Sequence, residues 1–420
     1  MIKPSFIAVF LFLVYNSFSQ PDTVQRIVKG RSNSVEQQQK PYVILISIDG
    51  FRYDYAEKYG AKNLLSLAKE GVRAEAMIPS YTSLTFPNHY TIATGLYPSH
   101  HGLASNYFYS SRRQQFYGMK NPATFADGSW YGGTPLWVLA EQQQMLSAAF
   151  YWVGTEANIT GIYPTYYFSY NEAIPIERRI QIVVEWLKKP EENRPHFITF
   201  YIPDVDHAGH DFGPDAPETA KAVRQVDTTL RKLYDAVTAT GLPVNFIVVG
   251  DHGMTRIDTK STLAMPAAVD TSNFYIPRGV ELVELYAKNK NDIQPTYERL
   301  KKEEKDFTAY LKTNMPDHLK YGEKDDVHGV IGDIMLIPSW PKVFHFSSRS
   351  PNPGAHGFDP ALVKDMHTIF YAWGPAFKTN LQVPAFKNVN VYPVVTNILG
   401  LTYSEKIDGD LELANRILKR

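Results

Sequence analysis

Three stretches of the chain are apolar or β-branched at nearly every position: Tyr42-Val43-Ile44-Leu45-Ile46-Ser47-Ile48, Phe197-Ile198-Thr199-Phe200-Tyr201-Ile202 and Val244-Asn245-Phe246-Ile247-Val248-Val249. A run without polar alternation suits a strand covered on both faces, as the central strands of a parallel sheet are. Between these runs, over Ile176–Leu187 and 219–237, apolar residues return at intervals of three and four, the spacing of a helix with one buried face. Strand and helix alternate, which predicts an α/β fold: a mostly parallel central sheet flanked by helices. A further strand-like run over 368–373 and a final helix over Val391–Leu399 extend the pattern, and no internal repeat interrupts it.

A shorter helix signal lies between the first two strands. Pro87 tolerates the first turn of a helix, where its missing N–H costs nothing, and Tyr90-Thr91-Ile92-Ala93 carries the helix on to Gly95. Thr85 then stands at the positive end of the helix, where free backbone N–H groups can hold an anion. Taken alone it is an ordinary N-cap threonine. Its hydroxyl is nevertheless the candidate nucleophile, because acids and imidazoles stand just past the end of each strand.

Asp49 comes after the first strand, Asp204 and Asp206 after the second, and Asp251-His252 after the third. Ligands of open α/β sheets bind beyond the carboxyl ends of the strands, so three strands aim these side chains at one rim. Asp206 and His210, four apart, share one side of a helical turn, whereas His207 has no partner at that spacing and is read as structural. Gly253 after His252, and Gly354 and Gly357 around His356, free the backbone to turn those side chains inward. Asp49, Asp206, His210, Asp251, His252 and His356 make six mixed nitrogen and oxygen donors, enough for two ions at three each. That is zinc chemistry with positions left open for substrate. Two such ions about 4 Å apart would lower the pKa of the Thr85 hydroxyl and hold a phosphate oxygen, which dispenses with a separate general base.

Composition narrows the class. The chain has 420 residues, 44% hydrophobic, with Lys+Arg equal to Asp+Glu, so no overall basic field calls for a nucleic acid or an anionic membrane. Residues 1–19 read as a signal peptide, with Lys3 at the start, an apolar core from Phe6 to Tyr15 and small residues at Ser17 and Ser19; this core is too short to span a bilayer comfortably. Residues 20–40, polar and Gln-rich, read as a flexible leader. Residues 41–420 form the catalytic domain, with an inserted subdomain at about 257–345, where the patterning turns charged and turn-rich. The chain has no cysteine, which in an exported protein favours a bacterial periplasm over an animal secretory pathway. A periplasmic or secreted monomer with no membrane span after cleavage is expected.

Five motifs in order, Asp49-Gly50-Phe51-Arg52, Thr85-Phe86-Pro87-Asn88-His89-Tyr90, Asp206-x-x-Gly209-His210, Gly250-Asp251-His252-Gly253-Met254 and Gly354-x-His356-Gly357, resemble the nucleotide pyrophosphatase/phosphodiesterase family of the alkaline phosphatase superfamily. The resemblance runs from about Pro41 to Leu401. It implies one zinc on Asp206, His210 and His356, a second on Asp49, Asp251 and His252 with Thr85, and a covalent threonine intermediate. It also implies that Asn106 binds phosphate beside the Thr85 backbone N–H as an oxyanion clamp, and that Phe86 and Tyr170 look like the aromatic pair that sandwiches a nucleobase. Leu84 stands where some relatives have Lys, and the appendages of vertebrate members are lacking.

The expected substrate is a small nucleotide pyrophosphate or phosphodiester cleaved to a nucleoside 5′-monophosphate, with no stable nucleic-acid partner. The alternatives are a choline or glycerol head-group phosphodiesterase of the same family, which needs a pocket for a quaternary ammonium, and a phosphomonoesterase or sulfatase of the superfamily. A sulfatase would need Cys or Ser in a Cys/Ser-x-Pro-x-Arg setting. An exported metal-binding protein without catalysis would not need Thr85 beside all six donors.

Overall fold

The computed structural model describes residues 22–277 and 279–419. The signal-peptide expectation over 1–19 lies outside the described residues. A nine-stranded sheet runs Arg26–Ile27, Tyr166–Tyr167, Ser147–Phe150, Phe197–Ile202, Tyr42–Ile48, Val244–Val249, Phe370–Trp373, Val72–Ala74, Leu381–Val383. The strands from Tyr166–Tyr167 through Val244–Val249 are mutually parallel, and Phe370–Trp373 runs antiparallel to Val244–Val249.

All seven residues of Tyr42–Ile48 are buried, and the pleat sends them to two cores. Val43 and Leu45 pack with Tyr90, Ile92 and the helix Val391–Leu399; Ile44, Ile46 and Ile48 pack with the helices Lys62–Lys69, Ile176–Leu187 and Pro217–Thr238. At roughly 1.5–3 kcal/mol for each large apolar side chain buried, this two-sided cover pins the strand, and with it Asp49 at its end.

Residues 268–344 build a second sheet, ordered Phe274–Tyr275, Val283–Ala287, Ile334–Pro338, Phe307–Leu311, antiparallel throughout, with the helix Ile293–Glu303 beside it. Leu285, Ala309, Ile334 and Leu336 form its own core. Met335, facing the other way along the same strand, joins the main core together with Tyr321, Val330 and Ile331. Among the described residues no helix is long and apolar enough to cross a membrane.

Three expectations are corrected. The leader is not loose in its described part: Arg26 and Ile27 pair with Tyr167 and Tyr166, and buried Asn33 donates to the carbonyls of Glu191 (2.8 Å) and Arg194 (2.7 Å) while accepting from the Leu146 N–H (2.7 Å). Val391–Leu399 is not the final helix, since Glu412–Ile417 comes after it. Thr85 is the first residue of its helix, Thr85–Thr94, and Leu84 holds the N-cap position with an extended backbone. The helix N-terminus therefore falls on Thr85 itself, whose N–H has no partner within the helix.

Candidate functional site

The three parallel strands Phe197–Ile202, Tyr42–Ile48 and Val244–Val249 are neighbours, so the residues just beyond them meet at one rim. Gly50 makes the closest approach possible: its φ is +66°, and a Cβ there would lie 2.8 Å from the Asp206 Cα. Asp206 and His210 sit one turn apart on the helix Asp204–Phe212, with Oδ1 and Nε2 3.4 Å apart. His356 comes in from the Gly354–Ala355 strand, its Nε2 3.6 Å from Asp206 Oδ1 and 3.1 Å from His210 Nε2. His252 stacks on His356 with ring centres 3.5 Å apart, and its Nε2 lies 3.4 Å from Asp49 Oδ1, 3.0 Å from Asp251 Oδ2 and 3.2 Å from Thr85 Oγ1. All six predicted donors and Thr85 are thus brought together.

The donor atoms fit divalent cations. Asp49 Oδ1, Asp206 Oδ1 and Asp251 Oδ2 are buried without a hydrogen bond, a costly state for three carboxylate oxygens in one place. The Nδ1 atoms of His210, His252 and His356 each lie 2.9 Å from a backbone carbonyl, of Gly354, Gly253 and Ser83. A carbonyl only accepts, so each Nδ1 carries the proton and each neutral ring turns an Nε2 lone pair inward. His210 and His356 then face each other acceptor to acceptor at 3.1 Å, which a cation between them reconciles. Donor atoms of Asp206, His210 and His356 lie within 4.8 Å of one another, as do those of Asp49, Asp206 and His252.

The electrostatics stem from burial. Desolvation, then the charges of Asp251 and Asp206, push the Asp49 carboxyl well above the usual range. Burial works in the same sense on Asp251, but the charge of the His252 and His89 rings, when they are protonated, overcomes it and holds that carboxyl well below. Burial, then His252 and His210, depress His356. A concentrated positive charge would relieve the strain among these groups.

Asn106 accepts from the Phe86 N–H through Oδ1 (3.0 Å), which leaves its amide N–H groups for a ligand beside the helix N-terminus. Phe86 is half-buried, edge-on to Tyr117 with ring centres 6.5 Å apart. Tyr170 is 46% exposed and leans on Tyr151 (5.1 Å) and Tyr201 (5.9 Å). Each of the two rings is seated on its own aromatic support.

Sequence reading missed three residues here. His89, fully buried, places Nδ1 2.9 Å from the Thr85 carbonyl and 3.3 Å from Asp251 Oδ2, and Nε2 2.8 Å from Ser47 Oγ. Its spacing of four from Thr85 on one helix was the available signal. Tyr201 donates its hydroxyl to Asp49 Oδ2 at 2.6 Å, leaving Oδ1 to face the cluster. Glu281 comes from the 268–344 region; a Cβ on Gly357 (φ +111°) would touch both it and Leu84, and burial pushes its carboxyl up to about 7.

Residues 43–359 match the family model for type I phosphodiesterase / nucleotide pyrophosphatase. The chain belongs to that family. Ectonucleotide pyrophosphatase/phosphodiesterase family member 1 of Mus musculus is 32% identical over 395 residues, 91% of this chain and 43% of that protein. The venom phosphodiesterase of Macrovipera lebetinus is 34% identical over 371 residues, 86% of this chain and 43% of that one. The chain thus spans less than half the length of these relatives. Human ectonucleotide pyrophosphatase / phosphodiesterase 5 superposes with a TM-score of 0.83 at 27% identity, covering 91% of this chain and all of that one. An inactive murine form of the same protein, solved in complex with AMP, superposes equally well at 26% identity. The α/β architecture is thereby shared with a solved member of this family over 91% of the chain.

Proposed function

We propose that the protein is an exported two-zinc phosphodiesterase that cleaves nucleotide pyrophosphate or phosphodiester bonds and releases nucleoside 5′-monophosphates through a covalent threonine intermediate. The observation that carries this reading is the Thr85 hydroxyl at a helix N-terminus, 3.2 Å from His252 and beside three carboxylate oxygens that lack any hydrogen bond. Asp206, His210 and His356 would hold one zinc, and Asp49, Asp251 and His252 the other, with Thr85. When bound, the ions would supply Lewis acidity and make the Thr85 hydroxyl acidic enough to act near neutral pH.

The chain's own groups do the rest. Thr85 Oγ1 attacks phosphorus and releases its proton to solvent water; the phosphorus–oxygen bond to the leaving group breaks on the opposite side, and that oxygen takes a proton back from the same solvent. The Thr85 N–H and the Asn106 amide N–H groups point at the charge that grows on the phosphoryl oxygens. Water then attacks the phosphothreonine, the monophosphate departs and the Thr85 hydroxyl is restored. Phe86 and Tyr170 stack the base, which accepts several bases because every base has a π-face.

A choline head-group reading draws on one observation: Tyr151, Tyr170 and Tyr201 cluster beside Glu172, a setting that suits a quaternary ammonium. A panel of ATP, a dinucleotide, bis-p-nitrophenyl phosphate, p-nitrophenyl phosphate and glycerophosphocholine separates the two. Nucleotides should lead, and preference for glycerophosphocholine would replace the nucleotide reading. Thr85→Ala should keep fold and metal while losing turnover, and Thr85→Ser should keep part of it. Retention of more than about a tenth of the rate in Thr85→Ala would make water the nucleophile, since losing a true nucleophile costs several kcal/mol of barrier. Secretion or periplasmic export belongs to the same proposal and is tested by fractionating the expressing cell.

A further inference from the structure

Tyr170, 46% exposed, is held through its backbone, its ring and its hydroxyl. Its backbone N–H donates to Glu156 Oε1 (2.9 Å), its ring rests on Tyr151 and Tyr201, and its hydroxyl donates to Glu172 Oε1 (2.7 Å). Tyr201 in turn donates to Asp49 Oδ2 (2.6 Å), so a continuous path of contacts joins the cation-binding cluster to Glu172. The other Glu172 oxygen lies 3.8 Å from His207 Nδ1, beyond hydrogen-bond reach, and the Glu172 carbonyl accepts from Arg179 Nη2 at 3.4 Å, which holds the residue through its backbone. A tyrosine at 46% exposure would otherwise be free to sample several rotamers, and a stacking ligand would have to select one of them.

We propose that Glu172 is a positioning residue for substrate specificity: by accepting the Tyr170 hydroxyl it fixes the ring in the orientation that stacks a nucleobase, without touching the substrate itself. This rests on the base-stacking reading of Tyr170. Immobilising one side chain on binding costs enough that a ring ordered beforehand should lower KM by about three- to tenfold. The effect is confined to substrates that carry a base.

The experiment compares a thymidine 5′-p-nitrophenyl phosphate ester with methyl p-nitrophenyl phosphate, using the zinc-loaded protein. Glu172→Ala should raise KM for the thymidine ester about three- to tenfold with kcat kept, and leave kcat/KM for the methyl ester within twofold. Glu172→Gln retains an acceptor oxygen and should restore most of the loss. Tyr170→Phe, which deletes the donor but keeps the ring, should reproduce the KM of Glu172→Ala, and the double variant Tyr170→Phe/Glu172→Ala should be no worse than either alone. A double variant worse than both by the product of their effects would mean that Glu172 meets the substrate directly and would overturn the proposal. So would unchanged KM in Glu172→Ala while Tyr170→Ala raises it, or equal losses on both esters. If Tyr170→Ala also leaves KM unchanged, the base-stacking reading itself fails, a result distinguishable from failure of Glu172 alone.

Discussion

At the scale of single residues, the chemistry gathers at one rim, where Thr85 Oγ1 lies 3.2 Å from His252 Nε2 and Asp49, Asp206 and Asp251 each keep a buried oxygen without a hydrogen bond. The meeting of Asp49, Asp206, His210, Asp251, His252, His356 and Thr85 at one rim was legible because each stands just past a strand, at a helix start or beside a glycine. His89, Tyr201 and Glu172 were not, because what they do rests on contacts that the local pattern does not fix: Tyr201 reaches Asp49 only through the register that sets it opposite Ser47. In the proposed division of ligands the two ions would draw on different histidines, so His210→Ala and His252→Ala should each lower bound zinc from two toward one per chain, measured by metal analysis on purified protein. Two full equivalents in both variants would refute the division of ligands, although partners behind the ligands can soften a loss of affinity.

The elements came through almost to the residue where burial is two-sided. Tyr42–Ile48, Phe197–Ile202 and Val244–Val249 form the predicted strands because no alternation leaves a wet face. Short or side-chain-driven elements escaped. A two-residue strand at Arg26–Ile27 and a six-residue helix at Glu412–Ile417 carry too little periodicity to register. The helix start at Thr85 was misplaced by one residue because what fixes it is Asn88, not a capping side chain. Buried Asn88 donates to the carbonyls of Ser80 (3.2 Å), Thr82 (2.8 Å) and Leu84 (3.0 Å), and its Oδ1 accepts from the Ser80 N–H and from Asn388. It therefore holds the whole loop that delivers Thr85. Asn88→Leu, close in volume, strands several of these groups and should destabilise the fold by about 2–4 kcal/mol and lower kcat. Denaturant unfolding is the check, and a loss below about 1 kcal/mol would mean the loop is held by its other contacts.

For the whole molecule, the 268–344 region couples stability to pH. Glu284 is buried at 4% exposure, accepts from the Tyr286 and Tyr321 hydroxyls and the Gly332 N–H, and is pushed by burial up to about 7 from 4.5. Between those two values the folded state keeps a proton that the unfolded chain has released, so stability falls as pH rises through this window, by on the order of 3 kcal/mol from this one group. Glu284→Gln should flatten that part of the profile, read as unfolding free energy from pH 4.5 to 7.5, and parallel curves for the two proteins would dismiss the effect. The architecture as a whole was legible as α/β, yet the close approach of Glu281 to Gly357 was not, since nothing in the local pattern says which loop a distant acid will cover. The pairing of Arg26–Ile27 on Tyr166–Tyr167 has a consequence for handling the protein. It shields a strand that would otherwise offer unpaired amides next to two tyrosines, a ready template for another molecule. A version trimmed to begin near Arg31 should keep its fold but self-associate, visible as concentration-dependent light scattering, because the shield leaves with the leader.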